Sequence, residues 1–207
     1  MKTAPTQQRA IRKCNALMEA AFEEFSRQGF DATTAKSIAD RAGVASGTFY
    51  QYFHNKDDVL LEITRQRFAD LHEHIQVPPA GPGVPDNANV TIHDVFRGAL
   101  GFAYDFHEQE SGLHAVLEYR RRVDFALAEV MDEGETVLMD RVRTFVARYV
   151  RNDVETTAFC LFSMAEGIVH RHVFRGHRDI RRDELIEKGV QLLAAYFEPQ
   201  QQPERQQ

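Results

Sequence analysis

Apolar residues recur at helical spacing along most of this chain. Ile11, Cys14, Leu17, Ala21, Phe22 and Phe25 repeat every three or four positions, the rhythm of an amphipathic helix. That helix should stop at Gly29, which suits a left-handed cap, with Phe30 folding back as the apolar residue beyond it. Thr33 or Thr34 is placed to cap a short second helix over 35–42, ended by Gly43. A third short helix fits 46–53. Asn55 then caps a fourth, with Asp57 and Asp58 at its electropositive start. Val59, Leu60, Ile63, Phe68, Leu71 and Ile75 line one side of that helix.

The rhythm breaks once inside the chain. Residues 77–87 hold four prolines and two glycines, which forbid continuous helix. Further helices fit 91–109, 113–121, 124–151, 154–175 and 181–197, with a break near Ser111 and Gly112 and a soft point at Gly134. No long alternating strand pattern appears. The expected class is all-α, with a three-helix bundle at the N-terminus joined by a long helix to a larger helical domain. The expected boundaries are 1–55, then 56–200 with a Pro/Gly-rich loop at 77–90, then a polar tail at 201–207.

Charge changes this picture. The chain has 207 residues with 25 Lys+Arg against 31 Asp+Glu, a net of −6, which taken whole argues against a polyanionic partner. The average hides a partition. Residues 1–60 hold 8 basic and 7 acidic side chains, whereas 61–207 hold 17 and 24. Lys2, Arg9, Arg12 and Lys13 face no acid in the first 13 residues. Such asymmetry fits a polyanion-binding end on an acidic body, with a basic tail as the plain alternative.

The informative stretch is 38–53. Ile38 and Ala39 turn inward on a short helix, Gly43 makes the turn, and Val44 plugs the angle before a second short helix. This is the physics of a helix-turn-helix whose second helix enters the major groove. Small residues at Ala45, Ser46 and Gly47, followed by Thr48, let that helix approach DNA closely, where its N–H groups favour phosphate. Tyr50, Gln51 and Tyr52 present polar tips to backbone oxygens or base edges. Lys36 and Lys56 flank helix starts where the DNA backbone should pass, and Lys56 reads as a phosphate clamp. Thr33 and Thr34 are caps first, with phosphate contact as a second use. Phe49 and Phe53 read as core.

In this segment the sequence resembles the TetR family of bacterial transcriptional regulators. The resemblance rests on Ala20-Ala21-Phe22, Phe25, Gly29-Phe30, Thr33-Thr34, Ile38-Ala39, Ala42-Gly43-Val44, Gly47-Thr48, Tyr50, Tyr52-Phe53, Lys56 and Leu60, in order and at matching spacing over about residues 10–60. It implies a homodimer that binds a palindromic double-stranded DNA operator and releases it when a small-molecule effector enters the second domain. Two positions depart from the family's habit: Ala45, where Ser is common, and Ser46, where Lys, Arg or Pro is common. Loss of a cation at Ser46 weakens one phosphate contact or leaves the reading to Gln51. A glutamine that pairs bidentately with adenine is worth about 1–3 kcal/mol of discrimination.

The family shares no pocket motif, so the second domain must be read from its own residues. Phe102, Phe106, Leu113, His114, Leu117 and Phe125 interleave aromatics with histidine, and Phe68, Phe162 and Glu166 join the candidate lining. An apolar cavity with few polar anchors suits a hydrophobic or aromatic effector. Ordinary core packing is the alternative for each. Phe159, Ser163, Glu166 and His170 share one helical face. The segment 154–175 is apolar on more than one side and must be buried or packed on a partner. With Leu185, Val190, Leu193 and Phe197, its residues Phe159, Ser163 and His170 make the expected dimer interface, a four-helix bundle about a two-fold axis.

No catalytic residue, cofactor or metal is expected. No G-x-S-x-G elbow, phosphate loop or dinucleotide fingerprint occurs. Arg120-Arg121-Arg122, flanked by Glu118 and Asp124, reads as a solvated helix end rather than a phosphate site. Nine histidines invite a metal, but the pairs His72/His74 and His170/His172 point to different helix sides, and ligation across helices has no positive signal. Cys14 and Cys160 lack metal or disulfide spacing, so a reduced cytoplasmic setting is expected. The start lacks a signal-peptide apolar core, and no membrane span is expected. An effector-independent DNA-binding protein and an activator are the remaining rival functions.

Overall fold

A computed structural model describes residues 8–74, 90–177 and 179–198. Lys2, Ile75, the proline-rich stretch 77–87 and the tail 201–207 lie outside them. The elements in order are α1 (Gln8–Ala32), α2 (Ala35–Arg41), α3 (Ser46–Tyr52), α4 (Lys56–His74), α5 (Ile92–Gln109), α6 (Ser111–Arg121), α7 (Phe125–Val146), α8 (Val154–Arg175) and α9 (Arg182–Ala195). No strand occurs among the described residues, so the all-α class holds.

The helix ends follow local chemistry. Gly29 kinks the end of α1 at φ 81°, and Phe30 returns to the core at 6% exposure. Thr34 caps α2: its side chain accepts from the Ser37 N–H, and the Ser37 hydroxyl oxygen accepts from the Thr34 N–H, both at 3.0 Å. Gly43 takes φ 66° between α2 and α3, a conformation that side-chain-bearing residues resist. Asn55 caps α4 by accepting from the Asp58 N–H at 2.9 Å. Thr91 and Asp94 form a reciprocal cap on α5, and Asp124 accepts from the Leu127 N–H at 3.1 Å to start α7.

The described residues pack as two compact units, one within 1–73 and 110–135 and the other within 74–109 and 136–207. This differs from the boundary expected after residue 55. The reason is that α4, α6 and the start of α7 complete the core of the N-terminal bundle. Leu17, Phe25, Ile38, Phe49, Phe53, Val59 and Leu60 bury together with Leu113, Val116, Leu117, Leu127 and Met131. α6 lies so close to α1 that a Cβ on Gly112 would sit 2.6 Å from the Ser26 carbonyl oxygen. Gly134 is not the expected soft point. It is buried inside α7 where a Cβ would meet the Phe68 ring at 2.2 Å, so its missing side chain admits that ring.

Ion pairs tie the same unit together. The carboxyl of Glu24 on the apolar side of α1 is 3% exposed, and Arg41 of α2 donates to it at 2.6 Å. Burial pushes that carboxyl upward, but hydrogen bonds from Arg41 and Arg27 outweigh burial and hold it below the usual glutamate value. Arg120 donates to Asp57 at 2.6 Å, and its guanidinium lies 4.3 Å from the Phe30 ring centroid. Arg121 pairs with Asp132 and Glu135. Arg120 and Arg121 are therefore not a solvated helix end. Only Arg122 of that triplet is exposed.

The second unit packs α5, the later part of α7, α8 and α9. Phe96, Phe145 and Phe197 meet at ring-centroid distances of 5.7–5.8 Å. Around them Leu100, Tyr104, Val146, Ala158, Val169, Val190 and Leu193 are buried. Gly189 of α9 admits Leu100, whose Cδ1 would lie 2.9 Å from an added Cβ. A two-pronged Arg97–Glu187 pair, with bonds of 2.9 and 2.8 Å, joins α5 to α9. Among the described residues no helix is long and apolar enough to cross a membrane.

Candidate functional site

The helix-turn-helix separates an apolar side from a polar one. Ile38, Ala39, Phe49 and Phe53 are 0% exposed, and Val44 packs against the same core. On the other side Thr34, Lys36, Ala45, Gly47 and Gln51 are exposed, and Tyr50 is 52% exposed. Ser46, Thr48 and Tyr52 are partly buried, the last with its ring against the core. The Tyr50 ring stands edge-on to Phe49 at 5.3 Å, which steadies an otherwise protruding side chain. No side chain caps the start of α3. Arg9 and Arg12 at the start of α1 are exposed as well.

Two residues expected at this surface are committed elsewhere. Thr33 is 1% exposed, and its hydroxyl donates to the Gly29 carbonyl at 2.8 Å. Lys56 donates to the carbonyls of Phe30, Asp31 and Thr33 at 2.7, 3.2 and 3.0 Å, with its ammonium 4.3 Å from the Phe30 ring centroid. An ammonium has three protons, and three carbonyls at and just beyond the kinked end of α1 accept from it. Lys56 thus seals a helix end instead of clamping phosphate. Sequence reasoning also missed the pairing of Arg41 with Glu23 and Glu24, which fastens α2 to α1. The signal was present: Glu24 falls on the apolar stripe of α1 and needs a buried partner there.

The expected effector residues divide between the units. Phe68, His114, Leu117 and Phe125 belong to the first, and Phe102, Phe106, Phe162 and Glu166 to the second. Leu117 is 4% exposed within the first core, and Phe68 packs on that core against Gly134. Phe125 is 94% exposed, so it lines no cavity. In the second unit Phe102, Phe106 and Phe162 are half-buried and Glu166 is exposed. Phe102 stacks on Phe106 at 6.2 Å.

The expected dimer residues need a larger correction. Val190 and Leu193 are 1% exposed and Phe197 is 0% exposed in the single chain, so all three belong to its own core. Leu185 is half-buried against that core. A helix apolar on two sides gives one to its own unit, and sequence period alone does not say which. The large apolar side chains left outside here are Phe159 and Met164 on α8, Leu192 on α9 and Tyr196 just past its end. Ser163 is exposed beside them, and Thr157 meets the Tyr196 hydroxyl at 3.3 Å across the two helices. His170 is half-buried and faces α5.

Comparison with known proteins supports the motif. A family profile described as "Bacterial regulatory proteins, tetR family" matches residues 17–63. The fatty acid metabolism regulator protein of Bacillus subtilis is 33% identical over 60 residues, covering 29% of this chain and 31% of that protein. The HTH-type transcriptional regulator HbdR of Aromatoleum is 35% identical over 80 residues, 39% of this chain and 34% of that one. The chain thus spans about a third of the length of these relatives. The solved structure of the transcriptional regulator FadR of Bacillus subtilis, in complex with stearoyl-CoA, is 19% identical and aligns at a TM-score of 0.67 over 86% of this chain and 96% of that one. That likeness is one of fold. The matched segment contains the buried apolar side and the exposed polar side of the helix-turn-helix, and over residues 17–63 the chain matches the TetR family of bacterial regulatory proteins.

Proposed function

We propose that this chain is a transcriptional regulator that binds a palindromic double-stranded DNA operator as a homodimer. The observation that carries the reading is α3. Its core residue Phe49 is wholly buried, while Tyr50 and Gln51 stand outside at its polar side. Thr34, Lys36, Ala45, Ser46, Gly47, Thr48, Tyr50, Gln51 and Tyr52 supply the DNA contacts, with the small residues permitting close approach of the backbone. Arg9 and Arg12 add phosphate contacts.

The homodimer forms through α8 and α9, by Phe159, Ser163, Met164, Leu192 and Tyr196. Large exposed apolar residues rimmed by polar ones suit an interface core. The regulator acts as a repressor released by a small hydrophobic or aromatic effector, for which Phe102, Phe106 and Phe162 of the second unit supply apolar lining. An effector moves the protein between DNA-binding and released forms only by its differential affinity for them. The test is selection of duplexes from a random pool by the full chain. Enrichment of one palindrome whose half-sites lie about one helical turn apart is the expected result. Retention of all duplexes alike, with no sequence enriched, would refute the reading.

A further inference from the structure

Two histidines that are 63 positions apart in sequence meet inside the second unit. His107 lies near the end of α5 and His170 in the later turns of α8. Their Nε2 atoms are 3.2 Å apart, their ring centroids 4.4 Å, and their planes stand at 85°. Both side chains are half-buried. Phe174 sets its ring edge-on to each of them, at 5.7 Å from His107 and 5.4 Å from His170, and Phe106 flanks His107 at 5.4 Å. Glu166 is one helical turn before His170, with Oε1 4.0 Å from its Nε2.

We infer that His107 and His170 bind a divalent first-row transition-metal cation between α5 and α8, with Glu166 as a third ligand. The reasoning starts from the nitrogens. Imidazole nitrogen binds such a cation at about 2.0–2.1 Å. Two nitrogens on one ion are then about 3.3 Å apart at a tetrahedral angle and about 2.9 Å apart at a right angle. The observed 3.2 Å falls between these values, so the two nitrogens already stand at ligand spacing, and a turn of the rings aims both at one ion. Converging Nε2 atoms leave room for at most one proton between them, whereas a cation satisfies both lone pairs at once.

The third ligand completes the chemistry. Glu166 and His170 share a helix face at i, i+4, and the glutamate is exposed enough to turn its carboxylate toward the ion. Two imidazoles and one carboxylate favour Co²⁺, Ni²⁺, Cu²⁺ or Zn²⁺ over Mg²⁺ or Ca²⁺, and they leave coordination positions open. Phe106 and Phe174 shield the imidazoles, which strengthens ligation by lowering local polarity. The site is built within one unit, and it stands independently of whether the chain binds DNA or an organic effector.

The experiment uses the full chain without a histidine tag, stripped with chelator, and Co²⁺ and Zn²⁺ as probes. Calorimetry with Zn²⁺ should show one ion per chain, and Co²⁺ should develop visible ligand-field absorption. His107→Gln and His170→Gln should each weaken binding at least about tenfold, since loss even of an outer partner costs roughly 10–100-fold. Glu166→Ala, at an exposed position, should leave the metal-free melting curve unchanged while weakening binding and altering the Co²⁺ spectrum. His177→Gln, at another exposed histidine, should change nothing. Absence of stoichiometric binding in the unaltered chain would overturn the proposal, as would binding that survives both His107→Gln and His170→Gln.

Discussion

The helix-turn-helix and the α8–α9 face treat their apolar residues in opposite ways. In the first, Ile38, Ala39, Phe49 and Phe53 are all 0% exposed, and apart from the ring of Tyr50 what remains outside is small or polar. In the second, Val190, Leu193 and Phe197 are buried, yet Phe159 stays 62% exposed and Leu192 56% exposed. The first region is complete as a single chain and offers polar groups to a polar partner. The second still has apolar area to bury, which is the pattern of a surface that meets another protein surface. The proposed function gives the two regions chemically different partners, DNA at one and a second copy at the other.

The strongest way to break this comparison is to test which residues hold the chain itself together. Phe53→Ala should cost about 3–5 kcal/mol of stability in chemical denaturation, because it opens a cavity in a closed core. Phe159→Ala should cost the isolated chain less than about 0.5 kcal/mol, since it removes little that is buried there. Equal losses would erase the contrast. The next effect concerns assembly. Phe159→Arg combined with Leu192→Glu should weaken self-association by about 2 kcal/mol or more, roughly 30-fold in the dissociation constant, as read by sedimentation. The circular dichroism of the α-helices should not change. An unaltered sedimentation profile would remove α8 and α9 from the interface.

Glycine positions sharpen the account of the first unit at a smaller scale. Gly134→Val places a side chain into the Phe68 ring and should destabilise by about 1–3 kcal/mol in thermal or chemical melts. Gly47 has nothing within 4 Å of an added Cβ, so Gly47→Ala should leave stability nearly intact and act on DNA affinity instead. The smallest effect is one of pH. The Glu24 carboxyl lies below its ordinary value in the folded chain, so its contribution is full at neutral pH. It is lost as pH falls from the ordinary glutamate value down through the lowered one. Glu24→Gln should flatten that part of the stability profile, and a profile unchanged by the substitution would show that the Arg41 pair contributes nothing measurable.

The sequence made the helix-turn-helix legible because its signals are local. Gly29, Thr34, Gly43 and Asn55 each mark a helix end through the backbone angles or hydrogen bonds they allow. The apolar spacing of Ile38, Phe49 and Phe53 then assigns the buried side. What was not legible depends on contacts between distant segments. Lys56 reads as a free cation until the kink at Gly29 brings three carbonyls to it. Val190 and Leu192 are equally apolar in the sequence, and only the packing of α9 on α5 decides that one is core and the other surface. His107 and His170 belong to separate helices, so spacing rules that examine single helices pass over them.

The most direct test of the central claim is the DNA affinity of a double variant, Tyr50→Ala with Gln51→Ala, on the operator selected by the unaltered chain. Both side chains are exposed on α3, so melting temperature and self-association should stay as they are. Specific binding should fall by about 2 kcal/mol or more, roughly 30-fold, toward the level of binding to unrelated duplexes. Unchanged specific affinity, with the fold intact, would contradict the assignment of α3 as the reading helix.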